Sequence, residues 1–586
     1  MKAIRVLIFT VIPFFTIAQN FHHDPAMQTP IINTTPAGKY LMENLDYAMT
    51  MGITQTPKGR IWCAFFGGGD SRMAYIQCLY SDDNGTTWSD TKMVIDPHDQ
   101  ELDEDRCALI SSIWTSPTGE VYLFFSQSMH TDGRGGIWQT KCSNPDDENP
   151  EWSIPKYLGP GYNLNKPTVL RDGRWVLPTY FLPRNIIVNN KRNSIDPSPY
   201  RITHYEYDHL RCGNFLISNE QGYGWQFVPA KINYDGIDFL ESMVTELDGD
   251  TLMVTSRGKG YIYKTLSYDG GITWEKSEPY LPSVNSRHFI RRLDSGRILL
   301  VKNGAIDTPA EGWQRKNITA FLSEDNGKTW EGGLLLDERT GVAYPDGFQS
   351  KDGSIFISYD YDRDEKGHIY LSRFTEEDIL AGTVKSKNSF LRKLIVEARP
   401  ELVERKYRLL YDGERSYRTW VVKNSEQNGH LHGKAITSIV DGNFRNPDKD
   451  TLNESPFCIK FRRAYNAKDN VGFENIVWPT DINRTFPSLE GVNHVSLQMK
   501  KEIDGPVIVE LENKKRTEKI ILRSHYTGKG RWETVNFNIS DKQKGSSVNT
   551  LSDFAYITVY VHAVDNSSKH LKTDMVVYVD DIKVSE

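Results

Sequence analysis

Beyond its first twenty residues the chain has no apolar run long enough to cross a membrane, which excludes a helical span. It also lacks an excess of either charge. The 70 Lys and Arg against 77 Asp and Glu leave a net charge of −7, too small over 586 residues to mark a nucleic-acid or anionic-membrane partner. Cysteine is scarce. Cys63, Cys78, Cys107, Cys142, Cys212 and Cys458 are scattered, so one or two disulfides remain open but no disulfide framework can define the fold. No His/Cys/Asp group has zinc spacing and no glycine-rich phosphate loop leads into a helix, so no metal and no cofactor is expected. Nothing in the sequence sets an oligomeric state.

What is present begins with "MKAIRVLIFTVIPFFTIAQN". Lys2 and Arg5 precede a short apolar run, and Thr16-Ile17-Ala18 offers small residues for cleavage. This reads as a signal peptide over residues 1–18, which places the mature protein in the periplasm or outside the cell. A chain of 586 residues is too long for one ordinary core. Its 44 glycines and 11% aromatic content lean toward β structure with many tight turns.

Repeats organise the rest. "SDDNGTTW" (Ser81 to Trp88), "SYDGGITW" (Ser267 to Trp274) and "SEDNGKTW" (Ser323 to Trp330) share the pattern Ser-x-Asp-x-Gly-x-Thr-Trp. "SNEQGYGW" (Ser218 to Trp225) and "SNPDDENPEW" (Ser143 to Trp152) are degenerate versions. A second unit, a glycine turn feeding a short apolar run, occurs at Gly59, Gly119, Gly173, Gly249, Gly296 and Gly353. Glycine supplies the positive φ that such hairpins need, and the run reads as a buried strand. Six strand units alternating with five turns predict an all-β chain whose residues 19–395 form a six-bladed β-propeller. The turns join the outer strands of each blade, so Asp83, Asp269 and Asp325 are expected to serve structure and not chemistry.

"FTEEDILAG" and "KSKNSFLRKL" read as a connector, after which the glycine unit stops. Residues 396–586 instead show "GPVIVELEN", "WETVNFNIS", "FAYITVYVHAV" and "DMVVYVDDIKV", alternating at period two. That pattern predicts an antiparallel, jelly-roll-like β-sandwich, either a carbohydrate-binding face or a prop for the propeller.

In a propeller, polar residues before and after the glycine turns are expected to line an axial pocket. Those positions hold Glu241 and Arg257 in "ESMVTELDGDTLMVTSRG", Tyr344 in "GVAYPDGFQSKDGSIFISY", and Arg287 with His288 in "NSRHFIRRLDSG". Asp70 and Arg72 lie in "FFGGGDSRMAY", Arg315 in "GWQRKNITAFL", and Arg106 ahead of blade two. Each has a plain structural reading too: a solvated strand-start charge, a packed aromatic, a rim ion pair or a turn aspartate.

Over roughly residues 40 to 380 these segments, in this order, resemble the sialidase (neuraminidase) superfamily, whose Asp boxes the eight-residue turns match. The resemblance implies that Tyr344 is the nucleophile, Glu241 the base that takes its proton and Asp70 the acid/base for the leaving oxygen. Arg257 and Arg315 would fork onto a substrate carboxylate. One departure stands out. Where the family carries an Arg-Ile-Pro stretch on the first inner strand, this chain reads "LDYAMTMGITQTPKGR", with Tyr47-Ala48-Met49 and no arginine. Arg287, Arg106 and Arg72 are the candidates to replace it. The expected function is an exported exo-glycosidase removing a terminal acidic sugar, such as sialic acid, from a glycan or polysaccharide. A silent glycan-binding propeller, or a glycosidase or lyase acting on a uronic-acid polymer, are the alternatives.

Overall fold

A computed structural model describes residues 28–586 apart from 46, 71–73, 100–105, 129–134, 182–208, 220, 223, 233–240, 309–313, 364–365, 399–406, 412–418, 423–438, 456, 464–471, 478–486 and 562–573. The expected signal peptide and Arg72 therefore fall outside the described residues. Six four-stranded antiparallel sheets follow one another along the chain, over 49–95, 107–160, 168–232, 243–282, 289–337 and 342–397. Within each sheet the strands lie in chain order.

The glycine unit is the link between the first and second strand of every sheet. Gly59, Gly119, Gly173, Gly249, Gly296 and Gly353 all take φ between 67° and 108°, a region that L side chains avoid. The strand each turn feeds is buried along its whole length, from Ile61–Gly67 in the first sheet to Ile355–Tyr361 in the sixth. A continuous apolar run bounded by turns suits that position, covered on both faces.

The aspartate turns link third and fourth strands. In each full copy one bonding pattern repeats. The serine hydroxyl accepts from the glycine N–H at 2.8–2.9 Å, and the aspartate accepts from two backbone N–H groups and the threonine hydroxyl. Hydrogen bonds from Thr273 and Thr329 lead in lowering the Asp269 and Asp325 carboxyls to about 2. Ser218 keeps the serine–glycine bond in its degenerate copy. The sixth sheet breaks the pattern. "FTEEDILAG" is not a connector but a short helix, Glu376–Ala381, capped by Thr375 and placed between the sheet's third and fourth strands. "KSKNSFLRKL" likewise runs into the fourth strand, Phe390–Glu397.

A buried polar network ties all six sheets together through their first strands or the residues just ahead of them. Asp346, in Val342–Gln349, accepts from Lys166 Nζ at 2.7 Å, Arg287 Nη2 at 3.1 Å and the Ile53 amide at 3.0 Å. Arg287 Nε donates to Asn165 Oδ1, whose amide nitrogen donates to the Ser242 carbonyl. Ser112 Oγ donates to the Asn165 carbonyl. Buried charges survive only when paired and fully bonded, and this set is. Gly52 makes room for it. At φ 153° it bulges its strand, and a Cβ there would meet Asp346 Oδ2 at 2.5 Å.

After residue 397 two further antiparallel sheets share one buried apolar cluster. One carries Val495, Leu497, Val577 and Val579; the other carries Val507, Val509, Ile557 and Val559. All six cysteines are buried and unbridged, so the chain uses none of the disulfides left open above. Among the described residues no helix is long and apolar enough to cross a membrane.

Candidate functional site

Each glycine turn closes one end of a hairpin, so the start of the first strand and the end of the second meet at the opposite end. That end, and not the turns as expected from sequence, collects the candidate residues. Glu241 lies two residues ahead of Met243–Glu246, and Arg257 ends Leu252–Arg257 in the same sheet. Tyr344 lies near the start of Val342–Gln349 in the sixth sheet. The strand is irregular between Ala343 and Asp346, and Tyr344 sits at φ 56°. A bulky residue at positive φ is uncommon and costs on the order of 1–3 kcal/mol. Bulges of this kind re-aim a side chain, and this one turns the phenol toward the fourth sheet.

Three of the expected residues meet there. Tyr344 Oη donates to Glu241 Oε1 at 2.8 Å. Arg257 Nη1 donates to the same Glu241 oxygen at 2.7 Å and lies 2.8 Å from Tyr344 Oη. All three are buried, and Glu241 Oε2 has no hydrogen-bond partner among the described residues. Burial pushes the Tyr344 phenol well above its ordinary pKa; Arg257 pulls it down, while Glu241 and then Asp70 add to the rise. Tyr344 therefore rests protonated, with a carboxylate already bonded to its proton. Burial opposes the Arg257 charge, but Glu241 and Tyr344 outweigh it and raise its pKa.

Arg315 joins from the fifth sheet. Its guanidinium lies 5.4 Å from the Tyr344 ring centre, with Nη2 donating to the Asn285 carbonyl. The Asn285 side chain accepts from Arg257 Nε at 2.6 Å, so one asparagine holds two arginines in place. Asp70 is exposed, three residues past the second strand of the first sheet, Ile61–Gly67, and within electrostatic reach of Tyr344.

The other expected arginines are placed elsewhere. Arg287 is buried in the polar network with Asp346 and Asn165, and Arg106 donates to the Gln28 carbonyl. His288 bonds Thr255, and burial, then Arg287, depress it to about 3, so its ring is neutral at ordinary pH. Sequence reading missed three neighbours. Arg363, after the second strand of the sixth sheet, has its guanidinium 4.9 Å from the Tyr344 ring centre. Asn285 bridges as described. Tyr180 ends a second strand, and burial, then Glu241, raise its phenol well above the ordinary value. Their signal was the position itself, the far end of each hairpin.

Comparison with known proteins agrees with the repeat pattern. The BNR repeat-like domain family matches residues 59–357, just over half of the chain. A sialidase of Paraclostridium sordellii is 25% identical over 292 residues, 44% of this chain and 65% of that protein. The match thus spans slightly less than two thirds of that relative's length. Among solved structures, the Hadza microbial sialidase Hz136 aligns with a TM-score of 0.44 and 17% identity over 58% of this chain and 67% of that one. A Trypanosoma rangeli sialidase, in complex with 2,3-difluorosialic acid as a covalent intermediate, aligns at 0.40 and 9% over 91% of each chain. With its repeated sheets and turns inside the matched region, the chain belongs to the BNR repeat-like domain family.

Proposed function

We propose that the six sheets are the blades of a propeller, followed by a β-sandwich, and that the protein is an exported glycoside hydrolase removing a terminal acidic sugar. The observation that carries the enzymatic reading is the buried 2.8 Å hydrogen bond from Tyr344 Oη to Glu241 Oε1. A phenol is a poor nucleophile at neutral pH unless a base takes its proton as it attacks. Glu241 is within bonding distance to do so. A neutral phenol also approaches an acidic sugar without the repulsion a carboxylate nucleophile would meet.

In the first step Tyr344 Oη bonds to the anomeric carbon while its proton passes to Glu241. The glycosidic C–O bond breaks, and the leaving oxygen takes a proton from Asp70. In the second step Asp70 removes a proton from water, the water oxygen displaces Tyr344, and Glu241 returns the proton to the phenolate. Arg257 holds Glu241 and Tyr344 together, and Arg315 offers charge to the substrate carboxylate. Two displacements retain the anomeric configuration.

The test is turnover of acidic glycosides by wild type, Tyr344→Phe and Glu241→Gln, with the first-formed anomer read by NMR. Each variant should lose activity by about 10²- to 10⁴-fold while keeping its fold. The double variant should be little worse than either single one, because the pair acts as a unit. Full activity of Tyr344→Phe, an inverted product or an unsaturated elimination product would each end this reading.

A further inference from the structure

We propose that Tyr180 is a specificity-determining residue of this site: its hydroxyl and the second oxygen of Glu241 together hold one hydroxyl group of the sugar. The inference rests on the glycoside hydrolase reading above and adds to it a residue and the functional group it selects.

Tyr180 ends the second strand of the third sheet, Trp175–Tyr180, just as Arg257 ends the second strand of the fourth. Its backbone exchanges two hydrogen bonds with Tyr162, at 2.8 and 2.9 Å. Three residues on, the Asn165 side chain donates to the Ser242 carbonyl at 2.8 Å, and Ser242 directly follows Glu241. The short segment 162–165 thus joins Tyr180 to the neighbour of the base. After burial, Glu241 is the strongest influence raising the Tyr180 phenol, with Tyr344 and Arg257 also in electrostatic reach. The ring is held in place. It stacks on Tyr162 with centres 5.6 Å apart and planes 27° apart. Two glycines make room for the pair: a Cβ on Gly135 would meet the Tyr162 ring at 2.5 Å, and one on Gly161 would meet the Tyr180 carbonyl at 2.6 Å.

Two polar groups are left over. Tyr180 is 4% exposed, yet its hydroxyl makes no hydrogen bond among the described residues. Glu241 gives Oε1 to Tyr344 and Arg257, and its buried Oε2 has no partner among those residues either. Such groups cost free energy until a ligand satisfies them. They are complementary in kind. The raised phenol keeps its proton and can donate it, whereas an ionised carboxylate can only accept. A sugar hydroxyl accepts from the first and donates to the second. A substrate carboxylate would be repelled by Glu241, and an ammonium would leave the phenol proton unpaired. Because the ring is fixed before substrate arrives, the bond forms with little further loss of side-chain freedom.

The test is kcat/KM of full-length wild type and Tyr180→Phe on the methylumbelliferyl glycosides of N-acetylneuraminic acid and glucuronic acid, and on the single-deoxy analogues of each. On the parent that wild type hydrolyses, Tyr180→Phe should lose roughly 10- to 100-fold. One deoxy analogue should erase the difference between the two proteins, since the group that Tyr180 bonds is gone. The other analogues should keep the full difference. An unchanged parent would overturn the proposal. So would an equal loss on every analogue, which marks a merely structural residue. Hydrolysis of neither parent by wild type would overturn the function proposed above and this inference with it. If Tyr344→Phe stays fully active while the Tyr180 pattern holds, the nucleophile assignment fails and the hydroxyl site stands.

Discussion

Removing the Asp346 carboxylate is the sharpest probe of how the sheets are held. Asp346 is 1% exposed and accepts from Lys166 at 2.7 Å, Arg287 at 3.1 Å and the Ile53 amide at 3.0 Å. At an effective dielectric constant near ~20, the two ion pairs carry about 6 and about 5 kcal/mol of gross attraction. Desolvation has already offset most of that in the folded protein. What remains measurable is the penalty for leaving partners unpaired, about 3–5 kcal/mol for a broken buried pair and about 1 kcal/mol or more for the orphaned amide. Asp346→Ala should therefore cost about 4–6 kcal/mol at pH 6.

The loss should shrink as pH rises. Burial already lowers Lys166 to about 8, against the pull of Asp346, so without the carboxylate its pKa falls further. Between the two folded values wild type binds a proton that the variant does not, and the difference in stability declines until about pH 8. Urea unfolding followed by tryptophan fluorescence at pH 6 and pH 9 measures both quantities. Asp346→Asn, which keeps the shape and one acceptor oxygen, should lose less. A cost below about 1 kcal/mol for Asp346→Ala, unchanged between the two pH values, would refute the reasoning.

Gly52→Ala should destabilise by about 1–3 kcal/mol, because its Cβ would meet Asp346 Oδ2; a neutral melting temperature would show that the carboxylate can move aside. Asp269→Asn and Asp325→Asn should lower stability above about pH 4. That difference should vanish as pH falls through about 2, where the folded-state carboxyls take up protons; urea midpoints across this window decide it. Ending the chain near residue 398 should spare turnover of small soluble acidic glycosides and weaken action on polymers if the last two sheets tether glycan. Equal loss on both would mark them as a prop for the preceding sheets.

Much of this protein was legible locally. A glycine at positive φ followed by an apolar run is a hairpin wherever it occurs, and all six such units formed one. The aspartate turn closes through bonds spanning at most four residues, so its eight letters suffice to define it. Tyr344 and Glu241 could be grouped because each stands at the start of its sheet's first strand, and Arg257 because it ends the second strand of the sheet that Glu241 opens.

Position in a repeat does not say which way a side chain faces, and there the tertiary structure decided. Arg287 stands ahead of a first strand just as Glu241 does, yet it turns into the buried network because Asp346 and Asn165, 59 and 122 residues away, offer it acceptors. Arg363 follows the second strand of the sixth sheet by two residues, and only the packed sheets bring its guanidinium to 4.9 Å from the Tyr344 ring centre. Lys166 bonds the Gly347 carbonyl across 181 residues. A charge is drawn to the nearest partner that can satisfy it out of water, and such partners become neighbours only once the sheets have packed.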